Sequence, residues 1–512
     1  MSEGSAHVDQ LSADGKWRWD GLSWQPASAG AVYQSLPRWL NLALRTNATW
    51  LSLAGAVVVG LTADQALRAG TFGLAASVAI TLTGLALVFA AALVTSESRW
   101  LVAAAVVFGA WLTVRSSPWL LWPDVVMCCA LLGFAASVAV RGSLLDIGVA
   151  EAAARGIQMV AHGAAGAAFV LKPAVSARRR APAAIAPMAR GLLIAVPIGA
   201  VLAGLLAAAD PVFASFFNLN FDFGQLTLDA IYVVVGALAA AGLLRLASAQ
   251  PLSRVDGPVW RLGSIEGLVV LAVLDAIFTG FAVAQVLAAA GAAGDTLRAA
   301  GISYADYARS GFFQLLWVAG ITAVVLIVFS RITGLNQRRT RRAFLVLGEI
   351  GVALTLLIVF VAFQRLSLYE SAYGFTMLRL YSQIFAVWIA VVFALLAADM
   401  AGLFPRRRWF VGATSISAMA VLLALNLANP EAVVVALNVN LARSMHKIDA
   451  QYLAELSSDA TPALLDQRVQ VDAALGREIS RVACAGPRSY SVSPAAFNWS
   501  VAEAASARRR GC

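Results

Sequence analysis

The sequence predicts an all-α protein, a polytopic transmembrane helix bundle of about 11 spans with a small helical C-terminal module outside the membrane. Hydrophobic residues make up 60% of the 512 residues and charged residues only 13%, whereas soluble domains contain about 25% charged residues. Long apolar runs recur along most of the chain, and a helix needs about 20 apolar residues to cross the hydrocarbon core. Short arginine clusters separate these runs, as in the loops of multi-pass proteins.

The net charge of +10 does not indicate nucleic-acid binding, because the basic residues lie in short clusters between apolar runs. The three histidines are far apart and the four cysteines form no C-x-x-C motif. We therefore predict no metal site and no cofactor. The chain also lacks a Walker loop and the G-x-S-x-G, H-E-x-x-H and kinase motifs, which favours a protein that is not an enzyme.

Residues 1–47 are predicted to form a polar cytoplasmic segment. It contains a Trp-rich stretch, Ser12–Pro26, in which two Asp-Gly turn dipeptides flank alternating tryptophans, as in a short hairpin. This stretch resembles a Trp-rich motif found near the ends of many actinobacterial-type membrane proteins. Two interpretations are open: a docking module, or a hairpin at the membrane surface, where tryptophan is favoured.

The apolar runs predict four spans, then a basic cytoplasmic connection, residues 141–190, and then a core of seven spans. The predicted spans are residues 48–66, 71–94, 100–114, 119–140, 191–209, 226–247, 263–290, 311–331, 343–363, 375–399 and 409–428. Within the connection, residues 144–171 are Ala-rich but carry several charged side chains. This mixture favours an interfacial helix over a further span.

The placement of arginine predicts the orientation. Most basic residues lie in the connections 141–190, 248–262, 332–342 and 402–408, which the positive-inside rule makes cytoplasmic. The N-terminus is then cytoplasmic and the C-terminus extracytoplasmic. The abundance of Ala, Gly, Val, Leu and Arg is typical of a GC-rich bacterial genome, so we predict a multi-pass protein of the bacterial plasma membrane.

The tail, residues 429–512, is predicted to be a separate extracytoplasmic helical module. Asn429, Pro430 and Glu431 form a typical helix start: an N-cap, a proline at the first helical position and an acid near the positive end of the helix dipole. Cys484 and Cys512 lie in this tail. Outside the cell they would form a disulfide, and the alternative is two free thiols, since spacing alone does not decide.

Four motifs resemble those of a known family. They are Gly191–Pro197 with Ala209–Ala214, Tyr304–Gln314, Tyr369–Arg379, and Asn429–Ala432 with Asn440 and Ile448–Ala460. Together they resemble an uncharacterised family of bacterial polytopic membrane proteins (DUF4153/DUF4173-like), over about residues 190–480. The resemblance implies a multi-pass inner-membrane protein without an established activity. The Asn440 motif is shifted relative to the usual pattern of the family.

Polar side chains concentrate between two long apolar runs, around residues 364–379. Arginine offers a forked donor to phosphate or carboxylate, and tyrosine adds a hydroxyl. The candidate anion or polar site therefore comprises Arg365, Tyr369, Glu370, Tyr373, Arg379 and, as a partner for one arginine, Asp210. The alternatives are that the arginines snorkel to headgroups beside an interfacial tyrosine belt, or that Glu370 neutralises one of them.

Asp275 lies near the middle of the predicted span 263–290. A charge there costs about 2.5–3.5 kcal/mol on insertion scales, so the side chain must be paired, hydrated or protonated. It is a candidate intramembrane proton or ion relay. The alternative is a structural aspartate that joins two helices by hydrogen bonds.

Three functions are compatible with these residues. The first is a translocator of a small or lipidic anion along Asp275, Arg365 and Arg379. The second is a structural or sensory protein whose exported tail binds a protein partner. The third is an intramembrane transferase on lipid-linked substrates, for which Asp210 or Glu370 would supply the acid or base. In each case the lipid bilayer is a partner and nucleic acid is not.

Overall fold

The computed structural model describes residues 12, 17–19, 24–26, 42–70, 72–91, 93–180, 191, 195, 199, 202, 206, 209, 210, 213, 223–252, 255, 261–287, 311–403 and 408–512. It confirms the predicted fold class, because long apolar helices packed side by side make up most of the described chain. The N-terminal stretch contains a two-stranded antiparallel hairpin, β1 (Trp17–Trp19) and β2 (Trp24–Pro26), with Trp19 opposite Trp24.

Ten helices of the bundle coincide with ten of the predicted spans. They are α1 Trp50–Arg68, α2 Leu74–Ala90, α3 Ser96–Val114, α4 Pro118–Ser137, α8 Phe223–Ala247, α9 Ser264–Leu287, α10 Phe312–Ile332, α11 Arg338–Tyr373, α12 Met377–Met400 and α13 Phe410–Ala428. Within the described chain, nine of them are long and apolar enough to cross a membrane, and α2, with 17 residues, is a shorter apolar helix. The predicted span 191–209 falls mostly outside the described residues.

The turns between successive spans lie alternately at the two ends of the bundle. At one end, which we call the tail face, lie the turns that contact residues 429–512, such as Ser116 and Phe375. At the opposite face, Val94 N donates to Ala139 O over 2.9 Å, Arg45 N donates to Ser248 O over 2.8 Å and Arg408 N donates to Asp146 Oδ1 over 2.8 Å. Residues in each set of turns therefore share one side of the bundle, as an up-and-down membrane topology requires.

The helices pack as two groups joined by α13. One hydrophobic core lies among α1–α4 and α8, and a second lies among α9–α12. Leu422 of α13 belongs to the first core, whereas Phe410 of the same helix belongs to the second. Helices α1 and α8 approach closely at Gly60, where an added Cβ atom would overlap Val233 O. Small residues allow this close approach between membrane helices.

Many large apolar side chains of the bundle point outward. Phe89, Val126 and Ile277 are each more than 60% exposed on apolar helices. Water would not solvate such a surface favourably, whereas lipid tails do. The chain is therefore a membrane-embedded protein.

The connection after α4 forms three helices, α5 (Val149–Ala164), α6 (Gly166–Val170) and α7 (Lys172–Arg180), after a short 3-10 turn at Leu144–Asp146. Helix α5 packs against α8. Its Arg155 is buried and bonds to Glu151 one turn earlier, over 2.8 Å, and to Ser137 O, over 2.7 Å. This pairing explains how a charged helix can pack against an apolar bundle.

The tail forms a compact helical module on its own small core. Its helices are α14 Pro430–Met445, α15 Ala450–Ala454, α16 Thr461–Gln467, α17 Ala473–Cys484 and α18 Trp499–Gly511, with 3-10 turns at Ser458–Ala460, Arg468–Gln470 and Pro494–Ala496. Val435, Val439, Leu464 and Ile479 form the centre of the core. Asn429 caps α14, since its side chain accepts a hydrogen bond from Ala432 N over 3.3 Å.

A disulfide joins the tail helices α17 and α18. It links Cys484 to Cys512, with the two Cα atoms 5.8 Å apart. The remaining cysteines lie in α4, where Cys128 is buried and Cys129 is exposed. Only the tail pair is thus positioned for a cross-link, and its two cysteines are 28 residues apart in the sequence.

Candidate functional site

Four of the predicted site residues lie at the end of α11 and one lies at the start of α12. Helix α11 ends at Tyr373 because Gly374 has a positive φ of 80°, a conformation that glycine adopts without a steric penalty. Helix α12 then begins with Thr376 as its N-cap. The tight turn brings the first turn of α12, with Arg379, against the last turns of α11.

Tyr369, Tyr373 and Arg379 form one stacked group. The Arg379 guanidinium carbon lies 4.4 Å from the centre of the Tyr369 ring, and the two tyrosine rings are 4.7 Å apart. Arg379 Nη1 donates to Tyr373 O over 3.3 Å and also to Gly374 O. The guanidinium is therefore held over an aromatic face and oriented by backbone carbonyls.

Arg365 and Glu370 take different positions. Arg365 Nη2 donates to Gln285 Oε1 of α9 over 3.1 Å. Glu370 is only 1% exposed and accepts a hydrogen bond from Gln383 Nε2 of α12. The described hydrogen bond to the Glu370 carboxylate thus comes from Gln383 rather than from an arginine.

A cavity of about 390 Å³ lies beside the stacked group at the tail face. Its lining combines four apolar side chains with four polar ones: Phe312, Phe313, Leu366, Leu378, Tyr369, Thr376, Arg379 and Ser382. Pockets of this kind bind ligands whose apolar part fills the space while a few polar groups fix the orientation. With one guanidinium on an apolar wall, the cavity suits an amphipathic anion.

Asp275 lies apart from this cavity but on a helix that reaches toward it. The side chain is buried against Gly351 of α11, and neither carboxyl oxygen has a hydrogen-bond partner among the described residues. Gln285, the partner of Arg365, is ten residues further along α9, about 15 Å at the rise of an α-helix. The structure therefore does not bring Asp275 into contact with the arginines.

Asp210 is exposed, and its backbone N–H donates to Leu206 O over 2.9 Å. Most of its chain neighbours fall outside the described residues. Its pairing with an arginine of the site stays a prediction.

The tail contacts the turn that borders the cavity. Asn438 of α14 accepts from Phe375 N over 2.9 Å and donates to Phe375 O over 2.8 Å. Tyr452 Oη accepts from Met377 N over 2.6 Å. Asn440, the residue in the shifted family motif, is exposed. Sequence reasoning missed Asn438, which shares its helix with Asn440 but makes these backbone contacts.

The tail is also bonded to the turn between α3 and α4. The Asp459 carboxylate accepts from Ser116 N over 3.1 and 3.2 Å and from Ser117 N over 2.8 Å. Asn498 Nδ2 donates to Leu112 O over 3.3 Å and to Arg115 O over 2.7 Å. Sequence reasoning missed these roles, although Asp459 lies inside a family-like motif.

A second buried polar pair joins α4 and α13. Asn426 Nδ2 donates to Asp124 Oδ1 over 2.8 Å, and both side chains are 0% exposed. The sequence feature from which this pair could have been anticipated is Asp124, an aspartate inside an apolar run. In the described part of the chain, no group of three or more His, Cys, Asp or Glu residues is arranged to hold a metal ion.

Glu431 is a buried carboxyl through which we expect the stability of the tail to depend on pH. Burial raises the pKa of this carboxyl above its ordinary value, against the opposing effect of the hydrogen bonds that it accepts from Ser457 N and Oγ. The folded tail then binds more protons than the unfolded tail in the interval above the ordinary pKa of 4.5. The folded tail is therefore most stable below this value and loses stability as the pH rises through the raised pKa. We expect Glu431→Gln to flatten this profile, measured as the rate of tail proteolysis against pH.

Glu455→Gln is the matched control, because Glu455 is an exposed residue of the same tail. It is expected to leave the pH profile of proteolysis unchanged. If the pH dependence of tail proteolysis in Glu431→Gln equalled that of the wild type, Glu431 would not be the group responsible for it.

Comparison with known proteins gives one match. The family described as "Domain of unknown function (DUF4153)" matches residues 102–467, well over half of the chain. The match begins within α3, so it includes most of α3 and all of α4 in addition to the region of the four motifs. No curated protein and no solved structure matches the chain.

Proposed function

Because the chain belongs to the DUF4153 family, whose domain has no assigned function, we propose a function from the chemistry of the cavity: the protein binds a small or lipidic anion at the tail face and translocates it. The observation that carries the proposal is the cavity in which Arg379 is the cationic member of a lining that is half apolar and half polar by residue. Such a lining complements a ligand with an anionic head and a hydrocarbon body.

The donor geometry of Arg379 supports an anion as the ligand. The described hydrogen bonds of its guanidinium both leave from Nη1. The Nε–H and Nη2–H groups form the fork with which arginine binds a phosphate or carboxylate through two parallel hydrogen bonds. The Tyr369 ring under the guanidinium holds this fork in place.

The position of the cavity supports entry from the lipid. Phe313 at the start of α10 and Leu378 at the start of α12 both line the cavity, and each is 51% exposed. Apolar side chains at the edge of a span face lipid tails. A lipidic anion could thus reach Arg379 laterally without passing through water.

Movement across the membrane is assigned to the residues below the cavity. Arg365 bonds to Gln285 on α9, and Asp275 lies deeper on the same helix. Buried ionisable residues of this kind mark ion or substrate pathways in membrane proteins. In this proposal Arg379 captures the anion, Arg365 receives it and Asp275 carries the coupled proton or ion.

The test is binding and transport of dioctanoyl phosphatidic acid by the purified protein in proteoliposomes. Arg379→Gln removes a charge-assisted interaction of about 1.5–3 kcal/mol and is expected to weaken binding about 10- to 100-fold. Arg477→Gln is the matched control, because Arg477 is an exposed arginine of the tail. Asp275→Asn is expected to abolish transport while binding persists.

Unchanged affinity in Arg379→Gln would exclude the cavity as the anion site. Transport that survives Arg365→Ala and Asp275→Asn together would exclude translocation through these residues.

The proposed location is the bacterial plasma membrane, with a cytoplasmic N-terminus and the tail outside. The arginine clusters support this orientation, and a disulfide in the tail is typical of an oxidising compartment. We expect a membrane-impermeant maleimide to label Cys484 and Cys512 on intact cells only after reduction. Labelling that requires permeabilised cells would place the tail in the cytoplasm.

A second candidate function is a sensory or structural protein that acts through its tail. It is favoured by the bonds from Asn438 and Tyr452 to the turn beside the cavity, which would pass a change in the tail to the bundle. Deleting residues 429–512 would remove this function, whereas Asp275→Asn would leave it intact.

A further inference from the structure

The buried pair Asp124–Asn426 contains two polar atoms without a described partner. Asp124 Oδ1 accepts from Asn426 Nδ2, which also donates to Leu422 O over 3.1 Å. The second carboxylate oxygen, Asp124 Oδ2, and the amide oxygen, Asn426 Oδ1, are buried and have no hydrogen-bond partner among the described residues. Buried polar atoms are almost always paired, so these two call for a physical explanation.

The unpaired atoms are chemically alike. A carboxylate oxygen and an amide oxygen are both acceptors, so the pair lacks a donor. A single proton on Asp124 Oδ2 supplies it: the acid O–H then donates to Asn426 Oδ1 while Asn426 Nδ2 donates to Asp124 Oδ1. The result is a closed acid–amide pair in which one proton satisfies both atoms.

We infer that Asp124 and Asn426 form a proton-binding site in the interior of the bundle, distinct from the anion cavity. Binding converts a buried carboxylate into a neutral acid, and release returns the proton to water with no change in electrons. The inference does not depend on the proposed translocation, because it concerns only the occupancy of this pair.

The surroundings favour a proton over a metal cation. Hard cations such as Ca²⁺ and Mg²⁺ take about six or more oxygen ligands, whereas the pair offers two free oxygens. The titratable groups near Asp124 are the Cys128 thiol on its own helix and the Tyr381 phenol from α12, and both are neutral at physiological pH by their ordinary pKa values. The Arg115 guanidinium donates a hydrogen bond to the backbone carbonyl oxygen of Asn426 over 2.9 Å.

The Tyr381 phenol of α12 lies near the pair but is not bonded to it. Its hydroxyl is buried and has no hydrogen-bond partner within the described chain.

The test is infrared difference spectroscopy of the purified protein in lipid nanodiscs, with isotopically labelled aspartate so that aspartic acids are distinguished from glutamic acids. The wild type is expected to show a protonated aspartic-acid band at neutral pH that disappears on alkalinisation. Asp124→Asn should remove the part of this band that Asp124 contributes. Asp275→Asn, which changes another buried aspartate without a described hydrogen-bond partner, should leave that part in place. Asp399→Asn should keep it, because Asp399 pairs with Arg331 over 2.6 Å.

Asn426→Leu provides a second readout if Asp124→Asn does not fold, because loss of the amide acceptor should shift the same band to higher frequency. A spectrum identical in wild type and Asp124→Asn would overturn the inference. So would a band that appears only when sodium is removed, since the occupant would then be a cation.

Discussion

Asp459→Ala is expected to release the tail from the first half of the bundle. The carboxylate is 2% exposed and accepts hydrogen bonds from two backbone N–H groups, those of Ser116 and Ser117. Bonds to a charged group contribute about 1.5–3 kcal/mol each, and their loss leaves buried donors unpaired. We expect docking to weaken by about 3–5 kcal/mol, which corresponds to tail proteolysis more than a hundredfold faster.

Asp466→Ala is the control for this experiment. Asp466 lies in the next helix of the tail and is exposed, so its loss removes the same charge without removing a buried acceptor. Equal proteolysis rates in both variants would show that the Asp459 carboxylate does not hold the tail to this turn.

Removing the tail disulfide is the second change with a large expected effect. The link between Cys484 and Cys512 spans a separation of 28 residues, and closing a loop of this length restricts the unfolded chain by about 3–4 kcal/mol. Cys484→Ser combined with Cys512→Ser should destabilise the tail by this amount, measured by native-state proteolysis at constant pH.

Reduction of the wild type should reproduce the proteolysis rate of the double variant, and reduction should not accelerate the double variant further. Cys129→Ser is the matched control, because Cys129 is an exposed thiol outside the tail. If the oxidised wild type and the double variant were cleaved equally fast, the cross-link would have no part in tail stability.

The span pattern could be predicted from the sequence because hydropathy is a local property. Predicted span 375–399 is α12, Met377–Met400, and Thr376 and Gly374 mark its start through capping and turn chemistry that is legible within a few residues. The grouping of Tyr369, Tyr373 and Arg379 could also be predicted from the sequence, because the three residues are close together in the chain.

The long-range contacts could not be predicted in the same way. Ser116 and Asp459 are 343 residues apart, and neither residue carries a local signal that identifies the other. Asp124 resembles any polar residue in an apolar run until α13 brings Asn426 to it. Asp275 and the arginines were grouped by chemistry alone, and the structure separates them along α9.

The distance in sequence between the tail and its partners has a consequence for how the protein is made. The turn after α3 is synthesised early, whereas Asp459 emerges only after all the described spans. The tail face must therefore be completed last, when the C-terminal module docks onto helices already inserted. A chain stalled late in synthesis would present an open, incompletely bonded tail face, the state that membrane quality-control proteases would encounter.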